Sequence, residues 1–320
     1  MAATSDFERI RELLRSKADL NARLRLIPHE GTPEVKNRGN GKYLYMRRRV
    51  AGKLTSTYVD VYSEELHQLL LRNASEAREL RKQVRRIDKE LAALGFAEGE
   101  LDPRVELNLD FARANMKASI YDQAVLEGVA TSFPQTEEII ENGRVSGVTA
   151  TDVQKVLNLK HAWEFVLDRD VLSCPTDFAI LSHIARIVNE GFFEDGGRVR
   201  GVPVAIGGTA YVPPLPQETV VKERLSGIVL DADRSDSPDS AIDVAIELSL
   251  YCMKAQVFLD GNKRAAIIFA NHYLIAHGGG LLVVPEAVVP RFKELLIGHY
   301  EGFASNELRV FMRQRCWRRF

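Results

Sequence analysis

Apolar residues recur at helical spacing over long stretches of the chain. The clearest pattern lies between Leu66 and Leu94, where they fall at alternating steps of four and three, a heptad seam with one polar member, Asn73. The seam consists of Leu66, Leu70, Asn73, Ala77, Leu80, Val84, Ile87, Leu91 and Leu94. We therefore predict a long helix over residues 62–94, which Gly95 and Pro103 bring to an end.

Two arrangements would cover this seam. An amphipathic segment opens the chain and predicts a helix to about Leu26. Its apolar residues are Phe7, Ile10, Leu14 and Leu24. The long helix either folds back on this first helix or pairs with a second copy, which would make a homodimer through residues 62–94. The heptad pattern is equally consistent with both.

A different periodicity follows the first helix. Residues 28–41 contain Gly and Pro and are interpreted as a loop. From Lys42 to Tyr62, strand-forming residues alternate on either side of Ala51-Gly52-Lys53, which predicts a β-hairpin. The hairpin region is strongly basic, with Lys36, Arg38, Lys42, Arg47, Arg48, Arg49 and Lys53.

The rest of the chain is dominated by helical patterns, so we predict a mainly α fold. The predicted helices cover residues 110–128, 151–167, 175–189, 217–231, 241–256, 263–277 and 285–299. One β element interrupts them, from Val199 to Val212, as two short runs broken by Gly207-Gly208.

These patterns divide the chain into four segments. They are an N-terminal helix and basic β-hairpin (1–61), the long heptad helix (62–100), a helical domain (101–303) and a basic C-terminal tail (304–320). The tail holds Arg309, Arg313, Arg315, Arg318 and Arg319.

Composition bears on the cellular location of the protein but does not identify its function. The net charge of −1 gives no overall bias toward nucleic acid, so that role would need local patches. Cys174, Cys252 and Cys316 are too scattered for a zinc cluster or a disulfide framework. The start lacks a signal-peptide pattern, and no apolar run approaches the ~18 residues that span a bilayer. We expect a cytoplasmic protein without membrane association.

A polar turn between two apolar helices carries the strongest chemical signal. It reads Asp260-Gly261-Asn262-Lys263-Arg264. Because Gly261 permits close backbone approach and a helix begins after it, free amides there would form an anion site, to which Lys263 and Arg264 add charge. Asp260 could also bind Mg²⁺. The same residues are compatible with a polar turn that only caps the second helix.

This turn resembles the signature of the Fic family, H-x-F-x-[DE]-G-N-[GK]-R, in its Doc-like form ending N-K-R. The matching positions are Phe258, Asp260, Gly261, Asn262, Lys263, Arg264 and the small Ala266. The resemblance extends in the family's order over roughly residues 110–300. Residues 126–128, 136–140 and 152–158 resemble its inhibitory-helix region, and residues 197–214 resemble its flap. It implies a Fido fold, a helical domain with a short β-hairpin flap.

The resemblance also implies ligands and roles. In this family the loop binds the phosphates of ATP or a related nucleotide, so Asp260 would bind Mg²⁺ and Asn262 and Arg264 the phosphates. Phe258 would anchor the loop in the core. The flap would hold a target protein by strand addition, which aligns a hydroxyl group of the target with the phosphate. The flap residues are Val204, Ile206, Gly207, Gly208 and Tyr211.

The largest departure from the signature is Gln256, which stands where the family has its general-base histidine, and Val257 follows where proline is commonest. A carboxamide can hydrogen-bond a hydroxyl group but cannot take its proton near neutral pH. Because a general base contributes typically ~10²–10⁴-fold, its loss should slow transfer severely. No other histidine is expected to replace it, since His272 and His277 are both interpreted as core residues.

Two further departures concern regulation and the transferred group. Ile267 occupies the place of the arginine that partners the family's inhibitory glutamate, and Gln123 stands where that motif expects Ser or Thr. Glu127, the inhibitory candidate, is therefore expected to lack a partner. Lys263 replaces the glycine of AMP-transferring members, and in the Doc-like branch this lysine accompanies transfer of phosphate.

Three functions are consistent with the sequence. The first is a transferase of AMP or phosphate to a protein hydroxyl, weakened by Gln256. The second is a catalytically inactive Fic pseudoenzyme that binds a nucleotide or a partner as a regulator. The third, and the least favoured, is nucleic-acid binding through the basic hairpin and tail, because basic stretches are more often solvated faces.

Overall fold

The structure, a computed structural model, describes residues 2–143, 145–232 and 240–320. It divides into two compact units, Met1–Ala97 and Glu98–Phe320. Within the described residues, no helix has the length and apolar character to cross a membrane.

The first unit contains two long helices and a small sheet. Its elements are α1 (Ala2–Leu26), β1 (Thr32–Arg38), β2 (Gly41–Val50), β3 (Lys53–Val61) and α2 (Glu64–Ala93). The α2 helix begins where the Ser63 hydroxyl accepts the Leu66 amide at 3.1 Å, a normal N-cap. Both predicted helices are thus confirmed.

The heptad seam of α2 packs along α1 of the same chain. Leu70, Leu80 and Leu91 of the seam are buried, and the described part of α1 contributes its own buried stripe. That stripe consists of Leu13, Leu14, Ala18 and Ala22. The intrachain arrangement is therefore present, and pairing with a second copy through residues 62–94 stays a prediction.

The basic sheet has three antiparallel strands in the order β1-β2-β3, so the interpretation of residues 28–41 as a loop was wrong. The error has a physical cause: β1 is an edge strand with the sequence Thr-Pro-Glu-Val-Lys-Asn-Arg, and its single large apolar residue, Val35, is 40% exposed. The β2–β3 connection is the predicted one, with φ of +47° at Ala51 and +79° at Gly52.

The second unit is mainly helical, as predicted. Its helices are α3 (Pro103–Leu126), α4 (Phe133–Asn142), α5 (Ala150–Val166), α6 (Arg169–Leu172), α7 (Phe178–Val188), α8 (Glu218–Ala232), α9 (Ser240–Ala255), α10 (Asn262–Ala276), α11 (Val289–Glu301) and α12 (Ser305–Arg315). Two short strands, β4 (Leu281–Leu282) and β5 (Trp317–Arg318), pair antiparallel.

The core of this unit surrounds α10. That helix contacts α3, α5, α7 and α9, and every residue from Ala265 to Ile275 is buried. Phe269 and Leu274 are fully enclosed. A helix packed on all sides cannot shift easily, so the turn that precedes it is held by a rigid element.

The predicted flap has a turn but no paired strands. Gly207 and Gly208 form that turn, and Gly208 has φ of +83°. Residues 199–206 and 209–216, however, contain no strand. The β-hairpin expectation was therefore wrong in this respect, because the two arms are held by side-chain contacts rather than by backbone hydrogen bonds to each other.

The predicted basic tail is not a free tail. Residues 305–315 form α12, which buries Leu308 and Met312. Its arginines bind carboxylates, with Arg309 on Glu247 at 2.7 Å and Arg313 on Asp243 at 2.6 Å. Paired arginines are less available to phosphates, so this segment gives little support to nucleic-acid binding.

Packing of the sheet on α2 gives a first prediction. Leu70 is fully buried with Leu44 and Met46, so Leu70→Ala should cost about 2–5 kcal/mol of local stability. Amide hydrogen exchange in β2 and α2 should accelerate accordingly. Leu71→Ala, at a neighbouring position that is 41% exposed, is the control and should change exchange little. Equal protection in the two variants would contradict the packing described.

Candidate functional site

The turn between α9 and α10 has two residues in left-handed backbone conformations. Gln256 has φ of +46° and Gly261 has φ of +72°. Gly261 is the N-cap of α10 and supplies no side-chain cap. The first amides of the helix, those of Asn262, Lys263 and Arg264, have no intrahelical acceptor. These free donors lie where the sequence predicts an anion site, and the binding of an anion there stays a prediction.

Close packing requires glycine at position 261. A Cβ there would lie 2.7 Å from Asn189 Oδ1 and 3.1 Å from its Nδ2. Asn189 is fully buried at the end of α7, and it donates to the carbonyl oxygens of Asp260 at 2.9 Å and Gly196 at 3.1 Å. Asn189 is a positioning residue that sequence reasoning missed, since nothing in its local pattern signals a contact so distant in the chain.

The side chain of Asn262 closes the turn on itself. Its Oδ1 accepts the Phe258 amide at 2.9 Å, and its Nδ2 donates to the Phe258 carbonyl at 2.8 Å. Phe258 is 1% exposed and anchors the turn in the core, as the resemblance implied. Because its carboxamide is used in this way, Asn262 offers an anion its backbone amide rather than its side chain.

Both polar atoms of the Gln256 carboxamide also form hydrogen bonds with nearby residues. Its Nε2 donates to the Met253 carbonyl at 2.7 Å, and its Oε1 accepts from Asn262 Nδ2 at 3.2 Å. Gln256 therefore ties the end of α9 to the start of α10. It offers no proton acceptor of useful basicity to a bound hydroxyl group.

A cluster of charged side chains lies beside these amides, and its contacts differ from one expectation. Glu127, at the end of α3, lies 3.6 Å from Lys263 Nζ and 3.8 Å from Arg264 Nε. The expectation that Glu127 lacks a partner was wrong, because these two cations replace the missing arginine. Arg264 is 3% exposed and also binds Asp260 at 3.0 Å and the Val188 carbonyl at 2.9 Å.

Two atoms of this cluster stay unsatisfied. Glu127 Oε1 and Arg264 Nε are buried and form no hydrogen bond among the described residues. Such atoms are costly to leave unpaired and are well suited to an incoming polar group. Gln123, by contrast, is fully used: it donates to the Arg264 carbonyl at 2.8 Å and accepts from Trp163 at 3.1 Å.

A cavity of about 380 Å³ opens in front of the turn. Gln256, Asp260, Asn262 and Lys263 line one side, and the flap residues Ala205, Ile206 and Gly207 line another. Lys293 and Tyr300 of α11 complete the wall, and the sequence gave no reason to name either. Val204, Gly208 and Tyr211 do not border the cavity; Tyr211 stacks on Tyr300 with ring centroids 6.1 Å apart.

The flap is tied to the turn by Arg200, another residue that sequence reasoning missed. Its guanidinium donates to the carbonyl oxygens of Gln256 at 2.6 Å, Val202 at 2.8 Å and Pro214 at 2.7 Å. Arg200 is 5% exposed, and burial lowers its pKa. One buried cation thus fixes both ends of the flap to the backbone of the signature turn.

No histidine of the described residues borders the cavity. His272 is a core residue as predicted, bonded to Thr176 and to the Val171 carbonyl at 2.9 Å each, and burial lowers its pKa to about 4. The core interpretation of His277 was wrong, since it lies exposed at the C-terminal end of α10. Burial raises the pKa of Tyr300, so its phenol is a proton donor and not a base at neutral pH.

Comparison with solved structures identifies the fold of this site. Fic-1 from C. elegans is 21% identical over 78% of this chain and 79% of its own, with a TM-score of 0.50. A Fic-domain signalling protein from Bacteroides thetaiotaomicron is 18% identical over 67% of this chain and 85% of its own, with a TM-score of 0.53. Residues 175–274 match the family model described as Fic/DOC family. Residues 175–274 thus match the Fic/DOC family, and the chain shares the fold of these Fic-domain structures.

Other comparisons add little about the rest of the chain. Residues 7–68, in the first unit, match a domain of unknown function, DUF6788. A search of curated proteins found no match. The Fic match therefore covers α7, α8, α9 and nearly all of α10, together with the flap and the signature turn that lie between these helices.

The Fic site suits a Mg²⁺ ion that is held mainly by phosphate. Asp260 supplies one carboxylate, and its side chain is 56% exposed at the entrance to the turn. The described residues contain no group of three His, Cys, Asp or Glu side chains that could hold a metal ion. Mg²⁺ commonly binds one or two carboxylates together with substrate phosphates and water. One exposed aspartate beside an anion site fits that pattern.

The contacts of Arg200 give a prediction for the Fic flap. Arg200→Met should release residues 202–214, because four of its carbonyl partners, on Gln256, Val202, Pro213 and Pro214, lose their donor. Cleavage of that segment by limited proteolysis should accelerate at least 10-fold. Arg198→Met is the matched control, since Arg198 is 80% exposed and pairs only weakly with Asp195. Similar cleavage rates in the two variants would show that Arg200 does not hold the flap.

Proposed function

We propose that this protein binds ATP or a related nucleotide with Mg²⁺ and transfers AMP or phosphate slowly to a hydroxyl group of a target protein. The observation that carries the proposal is the uncapped start of α10, whose amides face the 380 Å³ cavity beside Lys263. Family membership supports nucleotide transfer in general, and the finer assignment is ours.

The proposed nucleotide places its phosphates on the amides of residues 262–264. Lys263 and the buried Arg264 add positive charge to that position, and Asp260 would hold the Mg²⁺ ion. When bound, the ion would offset negative charge on the phosphates. Phosphoryl transfer depends mainly on such positioning and charge stabilisation, so a scaffold of this kind retains part of its catalytic power without a base.

The target is proposed to lie along the flap. Among the described residues, Val204 and Ile206 form no backbone–backbone hydrogen bonds and lie in an arm without helix or strand. Unpaired strand-like backbone is a template for an added strand, which would present a Ser, Thr or Tyr of the target to the cavity.

The chemical step then balances without a protein base. The target hydroxyl oxygen attacks phosphorus, and the bond from phosphorus to pyrophosphate, or to ADP for phosphate transfer, breaks. The hydroxyl proton passes to water, since both ends of the Gln256 carboxamide are engaged. The missing base predicts a rate about 10²–10⁴-fold below that of a histidine-containing relative.

The hydrogen bonds of the Gln256 carboxamide also favour a second function, that of a regulator without catalysis. Because Gln256 ties α9 to α10 through Met253 and Asn262, it acts as a structural clamp rather than a remnant base. A nucleotide-binding regulator without catalysis would retain this clamp. Restoring the base separates the two functions.

We expect Gln256→His to raise modification of a target, or self-modification, by roughly 10²-fold or more. Histidine tolerates the left-handed conformation at this position better than most residues. Gln256→Asn is the control, since it shares that tolerance but supplies no base. The assay is label transfer from radioactive ATP. Equal rates in the two variants, with nucleotide still bound, would favour the inactive regulator.

We expect Glu127→Gln to tighten nucleotide binding about 10-fold, or about 1.4 kcal/mol. The reason is competition: the Glu127 carboxylate occupies Lys263 and Arg264, the cations proposed to meet the phosphates. Calorimetric titration with ATP and Mg²⁺ measures the change. Glu137→Gln makes the same charge change at a salt bridge to Lys117, away from the cavity. An unchanged or weaker affinity in Glu127→Gln would refute competition.

A further inference from the structure

The three-stranded sheet of the first unit concentrates positive charge in a chain that is otherwise balanced. Residues 32–61 contain only two acidic residues, Glu34 and Asp60, whereas the whole chain has a net charge of −1. The basic residues of the sheet are Lys36, Arg38, Lys42, Arg47, Arg48, Arg49 and Lys53. The sheet is thus a local basic patch within a nearly neutral protein.

The two faces of the sheet have different roles. Strand β2 alternates, so that Leu44 and Met46 point to Leu70 of α2 and form the core of the first unit. Its other face carries Tyr45, Arg47 and Arg49 in succession. The positive charge that a ligand could contact therefore lies on this outer face.

The central arginines of the outer face have no acidic partner. Arg47 and Arg49 are both exposed, and neither forms a salt bridge with another described residue. Arg48, on the opposite face, does lie 4.0 Å from a carboxylate, that of Glu30. Unpaired arginines side by side repel each other, so an anionic ligand would relieve a cost that the folded protein otherwise carries.

Tyrosine rings lie beneath the basic side chains of the outer face. Tyr45 is 8% exposed, and its ring packs edge-on against Tyr58 with centroids 5.6 Å apart. Lys36 Nζ lies 4.6 Å above the Tyr45 ring and the Arg38 guanidinium 5.5 Å above it. The Tyr45 ring therefore supports the cations and is not a free platform for a nucleotide base, whereas the Tyr58 ring is 49% exposed.

This arrangement distinguishes between kinds of polyanion. Proteins that bind single strands stack successive bases on several exposed aromatic rings, and of the Tyr45–Tyr58 pair only Tyr58 is exposed. The ~12 Å major groove of B-form DNA admits a two-stranded β-ribbon, so β2, which carries Arg47 and Arg49, fits it together with one neighbouring strand. The deep, narrow major groove of duplex RNA would not admit such a ribbon.

We infer that the outer face of this sheet binds double-stranded DNA, chiefly through phosphate contacts made by Arg47, Arg49 and Arg38, whereas Lys36 is paired with Glu34. The inference concerns the first unit alone and does not depend on the proposed transferase function. It replaces the earlier hypothesis that combined the hairpin with the C-terminal tail, because Arg309 and Arg313 of that segment are paired with carboxylates.

The test is fluorescence anisotropy of the full-length protein with a labelled 20-base-pair DNA duplex of mixed sequence. We expect a dissociation constant of about 10⁻⁶–10⁻⁴ M, and an affinity that falls steeply as salt is raised, because phosphate binding releases counterions. A single strand of the same length and a matching RNA duplex should each bind at least 5-fold more weakly.

Paired variants then locate the surface. Arg47→Gln/Arg49→Gln should weaken duplex binding at least 10-fold and reduce the slope of log affinity against log salt by about 2. Arg47→Lys/Arg49→Lys, which keeps the charge, should retain most of the affinity and so excludes damage to the fold. Arg86→Gln/Lys89→Gln makes the same charge change on the exposed surface of α2 and should stay within 2-fold of the wild type.

Three results would overturn the inference. They are absence of duplex binding at 50 mM salt, preference for the single strand or the RNA duplex, and an equal loss in the α2 variant. Equal loss would mean that binding reflects only the general charge of the first unit.

Discussion

The left-handed turn at Gly261 is the constraint on which the Fic site depends. Only a residue without a Cβ fits there, since Asn189 lies 2.7 Å from the position that a Cβ would occupy. This close approach sets the start of α10, leaves its first amides without a cap and aims them at the cavity. Because α10 is buried along almost its whole length, the direction of those amides is fixed by the core of the domain.

Two side chains then join the turn to its surroundings. Arg200 connects the flap to the Gln256 carbonyl, and Gln256 connects α9 to Asn262. The substitution at the position of the family's base has therefore not left a gap. The carboxamide at this position forms hydrogen bonds to Met253 and Asn262, and so connects the two helices that flank the turn.

Features that depend on neighbouring residues could be predicted from the sequence, whereas contacts between residues far apart in the chain could not. Periodicity identified the long helices, and the Asp-Gly-Asn pattern identified the turn that begins α10, because both depend on neighbouring residues. Asn189 and Arg200 act on the turn from 71 and 56 positions away, so no local pattern reveals them. Strand β1 was missed because an edge strand needs few apolar residues. The partners of Glu127 were missed because a family motif, rather than the neighbouring Lys263, guided the expectation.

A crystal structure with a non-hydrolysable ATP analogue and Mg²⁺ would show whether the start of α10 binds nucleotide phosphates, as we propose. We expect phosphate oxygens within about 3 Å of the amides of residues 262–264, with the ion beside Asp260. We also expect Glu127 to move away from Lys263. A nucleotide bound elsewhere, or none at millimolar concentration with the turn intact, would refute phosphate binding at α10.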